Sequence, residues 1–229
     1  MNNLFSIAAD NDGSIWLGTD MGPAVFYNPG KAFTGELKAS RIKIPRNDGS
    51  GLADYLLGTE TVTTICVDGA NRKWLGTMSS GAWLMSDDGK EELIHFNSSN
   101  SPLLSDNIVK INVNPVTGEV WFGTSEGIIS FRGDATTGKE DFSSVYVFPN
   151  PVREDFEGVV TVTGLVENSS VKITDISGNL VYETTSTGGQ ATWDLRNYRS
   201  ERVTTGVYLV FCSNEDGSLA KVTKMLVIR

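Results

Sequence analysis

Four carboxylates crowd one short stretch of the chain, Asp87 and Asp88 followed by Glu91 and Glu92, around Gly89 and Lys90. Paired acids can cleave glycosidic bonds, but they do so across a pocket lined by aromatic rings. A tip of Asp, Gly and Lys reads instead as a solvated turn. His95 is the single histidine, so a multi-histidine metal site cannot be assembled from this chain, and no nucleophile–base pairing stands out around it. Asp10, Asn11, Asp12 and Gly13 open like a calcium loop. The sixth and twelfth places from Asp10, which should hold glycine and glutamate, hold Ile15 and Met21. The stretches "GTSEG" and "GTMSSG" lack a phosphate-binding lysine. Cys66 and Cys212 lie in separate apolar runs and read as buried thiols. The expectation is a non-enzyme with no catalytic residue, no cofactor and no metal.

What the sequence does repeat is a packing motif. "IWLGT" at Ile15–Thr19 returns as "KWLGT" at Lys73–Thr77 and "VWFGT" at Val120–Thr124. The pleat of a strand puts Trp16 and Gly18 on one face and Leu17 and Thr19 on the other. Trp74, Gly76 and Thr77, and then Trp121, Gly123 and Thr124, follow the same pattern. Both faces are partly apolar, as in a small sheet held between two neighbours, and glycine admits close approach of another backbone. Each copy reads as strand, Asn/Asp/Gly turn, strand, Gly turn, strand. The tryptophans are 58 and then 47 residues apart, a period that fits propeller blades of three or four strands. Three blades cannot close a ring of about four to eight. We therefore expect the chain to be the carboxy-terminal piece of a longer protein with blades upstream of Met1, or else to pair its open blade faces with a second copy.

Composition supports an all-β reading. Glycine is high at 24, and 39% of residues are hydrophobic. The 11 basic and 18 acidic residues up to Val145 leave −7, and the 8 basic and 10 acidic residues beyond it leave −2. Neither part has the positive field that nucleic acid binding needs. No run approaches a membrane span, and the opening "MNNLFSIAADNDG" does not read as a signal peptide. After Phe131 the polar stretch 132–145 reads as a linker, and 146–229 as about seven short strands of an Ig-like β-sandwich. The expected organisation is a partial propeller over 1–131, a linker, and a sandwich over 146–229.

Residues 4–131, with the IWLGT pattern and a connector through Asn100, Leu103, Asn107 and Ile108, resemble the two-component regulator propeller repeat common in Bacteroidetes. The tail resembles the type A carboxy-terminal sorting domain of the type IX secretion system. Its matching positions are Pro149, Asn150 and Pro151, the "VKITDISGNLVYE" stretch with Gly178, then Gly206, Val207 and Tyr208, and the basic, apolar end from Lys224 to Arg229. Relatives commonly read glycine where this chain has Leu195 in "TWDLRN". Propeller repeats directly ahead of such a domain resemble the PorZ-like family. That resemblance implies export through the periplasm to the cell surface or outer membrane and a retained sorting domain. It also implies work beside the type IX machinery, a PorU-like attachment sortase and anionic lipopolysaccharide. The alternatives are type IX cargo with an active site upstream and a sorting domain cleaved off within 133–144, and the sensory propeller of a hybrid two-component regulator.

Overall fold

The computed structural model describes residues 3–229; Met1 and Asn2, at the head of the first repeat, lie outside the described residues. The chain divides into two compact units, Met1–Gly133 and Asp134–Arg229. Its regular secondary structure is almost wholly β among the described residues. One 3-10 turn spans Pro29–Thr34, and among the described residues no helix is long and apolar enough to cross a membrane.

The first unit is a partial propeller. Blade one comprises β1 (Leu4–Ala9), β2 (Ile15–Thr19), β3 (Gly22–Phe26) and β4 (Ser40–Arg41). A hairpin, β5 (Lys43–Pro45) with β6 (Ala53–Tyr55), follows inside the insertion between the first two repeats. Blade two holds β7 (Val62–Val67), β8 (Lys73–Thr77), β9 (Ala82–Met85) and β10 (Glu92–Phe96). Blade three holds β11 (Ile108–Val113), β12 (Glu119–Thr124) and β13 (Gly127–Arg132). Each blade is an antiparallel meander. The first strands lie side by side from blade to blade, β1 against β7 and β7 against β11.

The repeated letters acquire distinct jobs. Trp16 projects into a core shared with Val62, Ile65 and Leu75 of blade two. Trp74 does the same with Ile108, Ile111 and Phe122 of blade three. The bulky residue after the second and third tryptophans faces the preceding blade: Leu75 joins the first of these cores and Phe122 the second. Gly18 and Gly76 mark the closest approach. A Cβ added at Gly18 would lie 2.6 Å from the Val62 carbonyl oxygen, and one at Gly76 2.6 Å from Ile108 Cγ2. The threonines finish the turn: Thr19 donates to the Gly22 carbonyl (2.6 Å), Thr77 to Gly81 (2.9 Å) and Thr124 to Gly127 (3.0 Å). Hydrogen bonds also cross between blades, Ile65 N–H to Ser6 Oγ at 2.9 Å and Thr63 Oγ1 to the Ile108 carbonyl at 2.5 Å.

The third tryptophan departs from the packing role its sequence suggests. Trp121 is 45% exposed, because no blade follows it among the described residues. Its cross-strand neighbours are Asn112 and Ser130, where Trp16 has Ala8 and Val25. A Cβ at Gly123 would come no closer than 3.5 Å to anything. The opposite flank is open too, with Leu4 and Ile7 exposed on β1.

One interblade contact has no counterpart in the motif. Lys73 is fully buried, and its ammonium donates to the carbonyls of Asn71 and Asp87 (2.6 Å each). It lies 3.3 Å from Asp10 Oδ2 of blade one and 5.1 Å from the centre of the Trp16 ring. The Trp16 indole N–H donates to the same carboxylate at 2.9 Å.

The second unit packs β14 (Tyr146–Phe148), β15 (Val160–Thr163) and β18 (Gln190–Trp193) against a sheet ordered β17-β16-β19-β20. That sheet comprises β17 (Leu180–Thr185), β16 (Ser170–Asp175), β19 (Gly206–Ser213) and β20 (Ala220–Val227). Trp193, Val171, Ile173, Val210 and Met225 form its core. The stretch read as a linker is largely part of this unit. Ala135 and Phe142 are buried, Lys139 N–H donates to the Leu165 carbonyl and Gly189 N–H to that of Thr136. Ala135, Phe142 and the half-buried Val145 suffice to hold a segment whose remaining residues are polar or glycine.

Candidate functional site

All but one of the residues that carry the sorting-domain resemblance lie on or beside β20, the edge strand of the second sheet. An edge strand offers a row of unpaired N–H and C=O groups. Here part of that row is covered from 74 and more residues upstream. The Asn150 side chain donates through Nδ2 to the Lys224 carbonyl (3.0 Å) and accepts through Oδ1 from Leu226 N–H (3.1 Å). One amide thus presents the donor and acceptor that a strand residue would present. Val152 continues the pairing: its N–H donates to the Leu226 carbonyl (2.8 Å), and its carbonyl accepts from Ile228 N–H (2.9 Å). Pro149 and Pro151, which have no N–H to leave unsatisfied, flank the asparagine; both follow cis peptide bonds.

The end of the chain is held as well. Arg229 N–H donates to Thr205 Oγ1, and that hydroxyl donates to the Arg229 carbonyl, both at 2.8 Å. Gly206, Val207 and Tyr208 come next and pair with Val227, Leu226 and Met225. Tyr208 is buried edge-on to Trp193, ring centres 5.8 Å apart, and its hydroxyl donates to the Thr204 carbonyl at 2.9 Å. Val207 points outward, as do Phe211, Val222 and Leu226, giving the sheet a half-exposed apolar stripe. Lys224 pairs with Leu209 within the stripe, and no acidic residue lies between Gly217 and Arg229. Nothing in the structure demands glycine at Gly206, where an added Cβ would meet only Tyr208 Cε2 at 3.8 Å.

Gly178 stands apart from this cluster. It sits at φ +86° in the β16–β17 hairpin, across the sheet from β20, in a turn ordered by Asp175, whose Oδ1 accepts from Ser177 and Asn179 N–H. The Asn179 side-chain amide and those backbone donors hold the Asp175 carboxyl below its ordinary value. Cys212, on the buried face of β19, is pushed up to about 11 by burial, which keeps it an unreactive thiol.

Leu195 occupies a backbone position that suits glycine. Its φ is +64°, a left-handed backbone that costs an L-residue roughly 1–2 kcal/mol. Its side chain is 1% exposed in the sandwich core, a burial worth about 1.5–3 kcal/mol. The two terms nearly cancel, so leucine is tolerated. Leu195→Gly is expected to be milder than Leu195→Ala, which keeps the strain and loses the burial; thermal melting of the two variants checks the order.

Among residues with chemical potential, His95 stacks on Trp83 at 3.6 Å between ring centres and bonds through Nε2 to the Ser80 carbonyl. Asp88 is held at about 2 by its hydrogen bond from the Lys90 side chain at an exposed turn. Among the described residues, no group of three His, Cys, Asp or Glu side chains is placed to hold a metal ion.

Comparison with known proteins agrees with both halves. Residues 146–229 match the family model of the secretion system C-terminal sorting domain, and residues 2–21 that of the two component regulator propeller. No curated protein sequence matches the chain. Among solved structures it is similar to PorZ, an essential bacterial surface component of the type-IX secretion system of Porphyromonas gingivalis. The identity is 34% and the TM-score 0.62, over 99% of this chain and 30% of PorZ. A second structure, the extracellular domain assigned to a hybrid two component system of B. thetaiotaomicron, aligns at 11% identity and TM-score 0.36, over 99% of this chain and 31% of that one. The chain is thus PorZ-like, a two-component regulator propeller repeat followed by a secretion system C-terminal sorting domain.

Proposed function

We propose that this chain belongs to a non-enzymatic surface component of the type IX secretion system. The sandwich is its export and attachment signal, and the propeller its interaction scaffold, with a PorU-like sortase and anionic lipopolysaccharide as partners. The observation that carries this reading is the sorting-domain match over 146–229, with PorZ supporting it at 34% identity.

The clamp narrows how recognition would work. Over Lys224–Ile228 the edge of β20 is already occupied by Asn150 and Val152. Main-chain addition to the folded domain would therefore use the far edge at β17, and the tail would be read through its outward Val207, Phe211, Val222 and Leu226 side chains. Cleavage within 133–144, as the cargo reading requires, would have to strip Ala135 and Phe142 from the core, which favours retention of the domain.

Deleting Lys224–Arg229 is expected to leave the protein in the periplasm, and Asn150→Ala, which loosens the same strand, to reduce surface display by a smaller factor. Protease shaving of intact cells reads both. Undiminished display of the deletion would defeat the proposal.

A further inference from the structure

At the head of the second unit, three backbone segments are joined in a closed circuit. Lys139 N–H donates to the Leu165 carbonyl (2.8 Å), Leu165 N–H to that of Gly189 (3.0 Å), and Gly189 N–H to that of Thr136 (2.7 Å). Thr136 also forms a parallel bridge with Gly188. Three residues beyond Lys139, Phe142 enters the sandwich core.

Glycines admit this segment at close range. A Cβ on Gly189 would press into the Thr137 carbonyl oxygen, and one on Gly164 would lie 2.5 Å from the Ser144 carbonyl oxygen. On the segment itself, a Cβ on Gly138 would lie 2.9 Å from Glu167 N. These meetings are backbone against backbone, so no side-chain rotation relieves them. The β15–β16 loop and the β17–β18 turn thus form a seat shaped to residues 136–144.

The side chains advertise the opposite. Thr137, Lys139, Glu140, Asp141, Ser143 and Ser144 are exposed, and exposed polar loops are where proteases nick first. Cleavage needs the main chain in the protease cleft. A cut at Lys139 therefore waits for the segment to lift, and its rate follows the population of the lifted form.

We propose that residues 135–144 are a strap, seated by Gly164 and Gly189, that denies processing peptidases the junction ahead of the sorting domain. Its biological use rests on the export reading above: the strap is what keeps the export domain attached.

Trypsin tests the strap directly, because Lys139 is an exposed basic residue inside it. In the full chain the Lys139–Glu140 bond should be cut at least about 100-fold more slowly than in a synthetic peptide of residues 134–145. Gly189→Ala and Gly164→Ala should each speed that cut at least about tenfold, read by mass spectrometry of the products. Gly217→Ala is the control. Its φ of +71° matches the +79° of Gly164, but its surroundings are open, so the rate should change by less than about twofold. If the crowded variants fail to fold, hydrogen exchange of the parent carries the test, with Lys139 and Gly189 N–H expected to be protected. A parent cut as fast as the peptide, a folded Gly189→Ala cut no faster than the parent, or unprotected amides would overturn the proposal. Trypsin needs no export. A protein that resists it yet never reaches the cell surface would sink the export reading and leave the strap standing.

Discussion

Lys73→Met is expected to destabilise the propeller unit by about 3–5 kcal/mol, the usual cost of removing one member of a buried ion pair. All three ammonium protons have acceptors, two carbonyls and the Asp10 carboxylate. The Asp10 side chain is 5% exposed and would keep only its Trp16 and backbone donors. Urea unfolding followed by tryptophan emission checks this, since Trp16, Trp74, Trp83 and Trp121 all lie in that unit.

The acid limb gives a second signature. Burial works to raise the Asp10 carboxyl, but the Trp16 hydrogen bond and Lys73 outweigh it and hold it below its ordinary value. A carboxyl depressed on folding contributes stability that is present above its unfolded pKa, about 3.9, and lost as pH falls through the lower folded one. Without Lys73 the burial effect gains ground and protonation no longer opposes folding as strongly. The gap between Lys73→Met and the parent should therefore narrow as pH drops below about 4. A gap of constant size across that range would show that the pair is not the cause.

The second large effect comes from the same substitution at three equivalent glycines. Gly18→Ala and Gly76→Ala should each cost about 1–3 kcal/mol by overpacking. The first presses on a backbone carbonyl that cannot rotate away, the second on Ile108 and Thr64. Gly123→Ala should be neutral, or stabilising by up to about 1 kcal/mol, because its surroundings are open and alanine loses less backbone entropy on folding. Chemical denaturation of the three variants separates crowding from strand propensity. Equal costs at all three sites would mean that glycine serves the strand itself and not its neighbour.

That contrast also marks how far the sequence could be read. Alternation within Trp-Leu-Gly-Thr is local, so the opposed faces of Trp16 and Leu17 follow from the pleat alone. The hydroxyl bond from each threonine to a glycine carbonyl is equally local, but composition has no mark for it. Lys73 was invisible because its partner, Asp10, is contributed by another blade, and a lysine in a strand ordinarily points to water. Asn150 is legible only through resemblance, since the strand it covers is 74 and more residues away. Residues 134–145 mislead because their polar residues outnumber Ala135, Phe142 and Val145, the side chains that settle where the segment lies. The uncovered Trp121 carries the same letters as its buried siblings, and only the arrangement of whole blades distinguishes them.

The Asn150 brace gives the sandwich an internal clock. Its last strand must be in place before the asparagine has anything to grip, and pairing across 74 and more residues carries a loop-closure cost. Until then the sheet has one raw margin open to strangers. A copy in which Asn150 has let go would therefore carry a bare sheet margin, and Asn150→Ala should raise the tendency of the protein to self-associate, as light scattering would show.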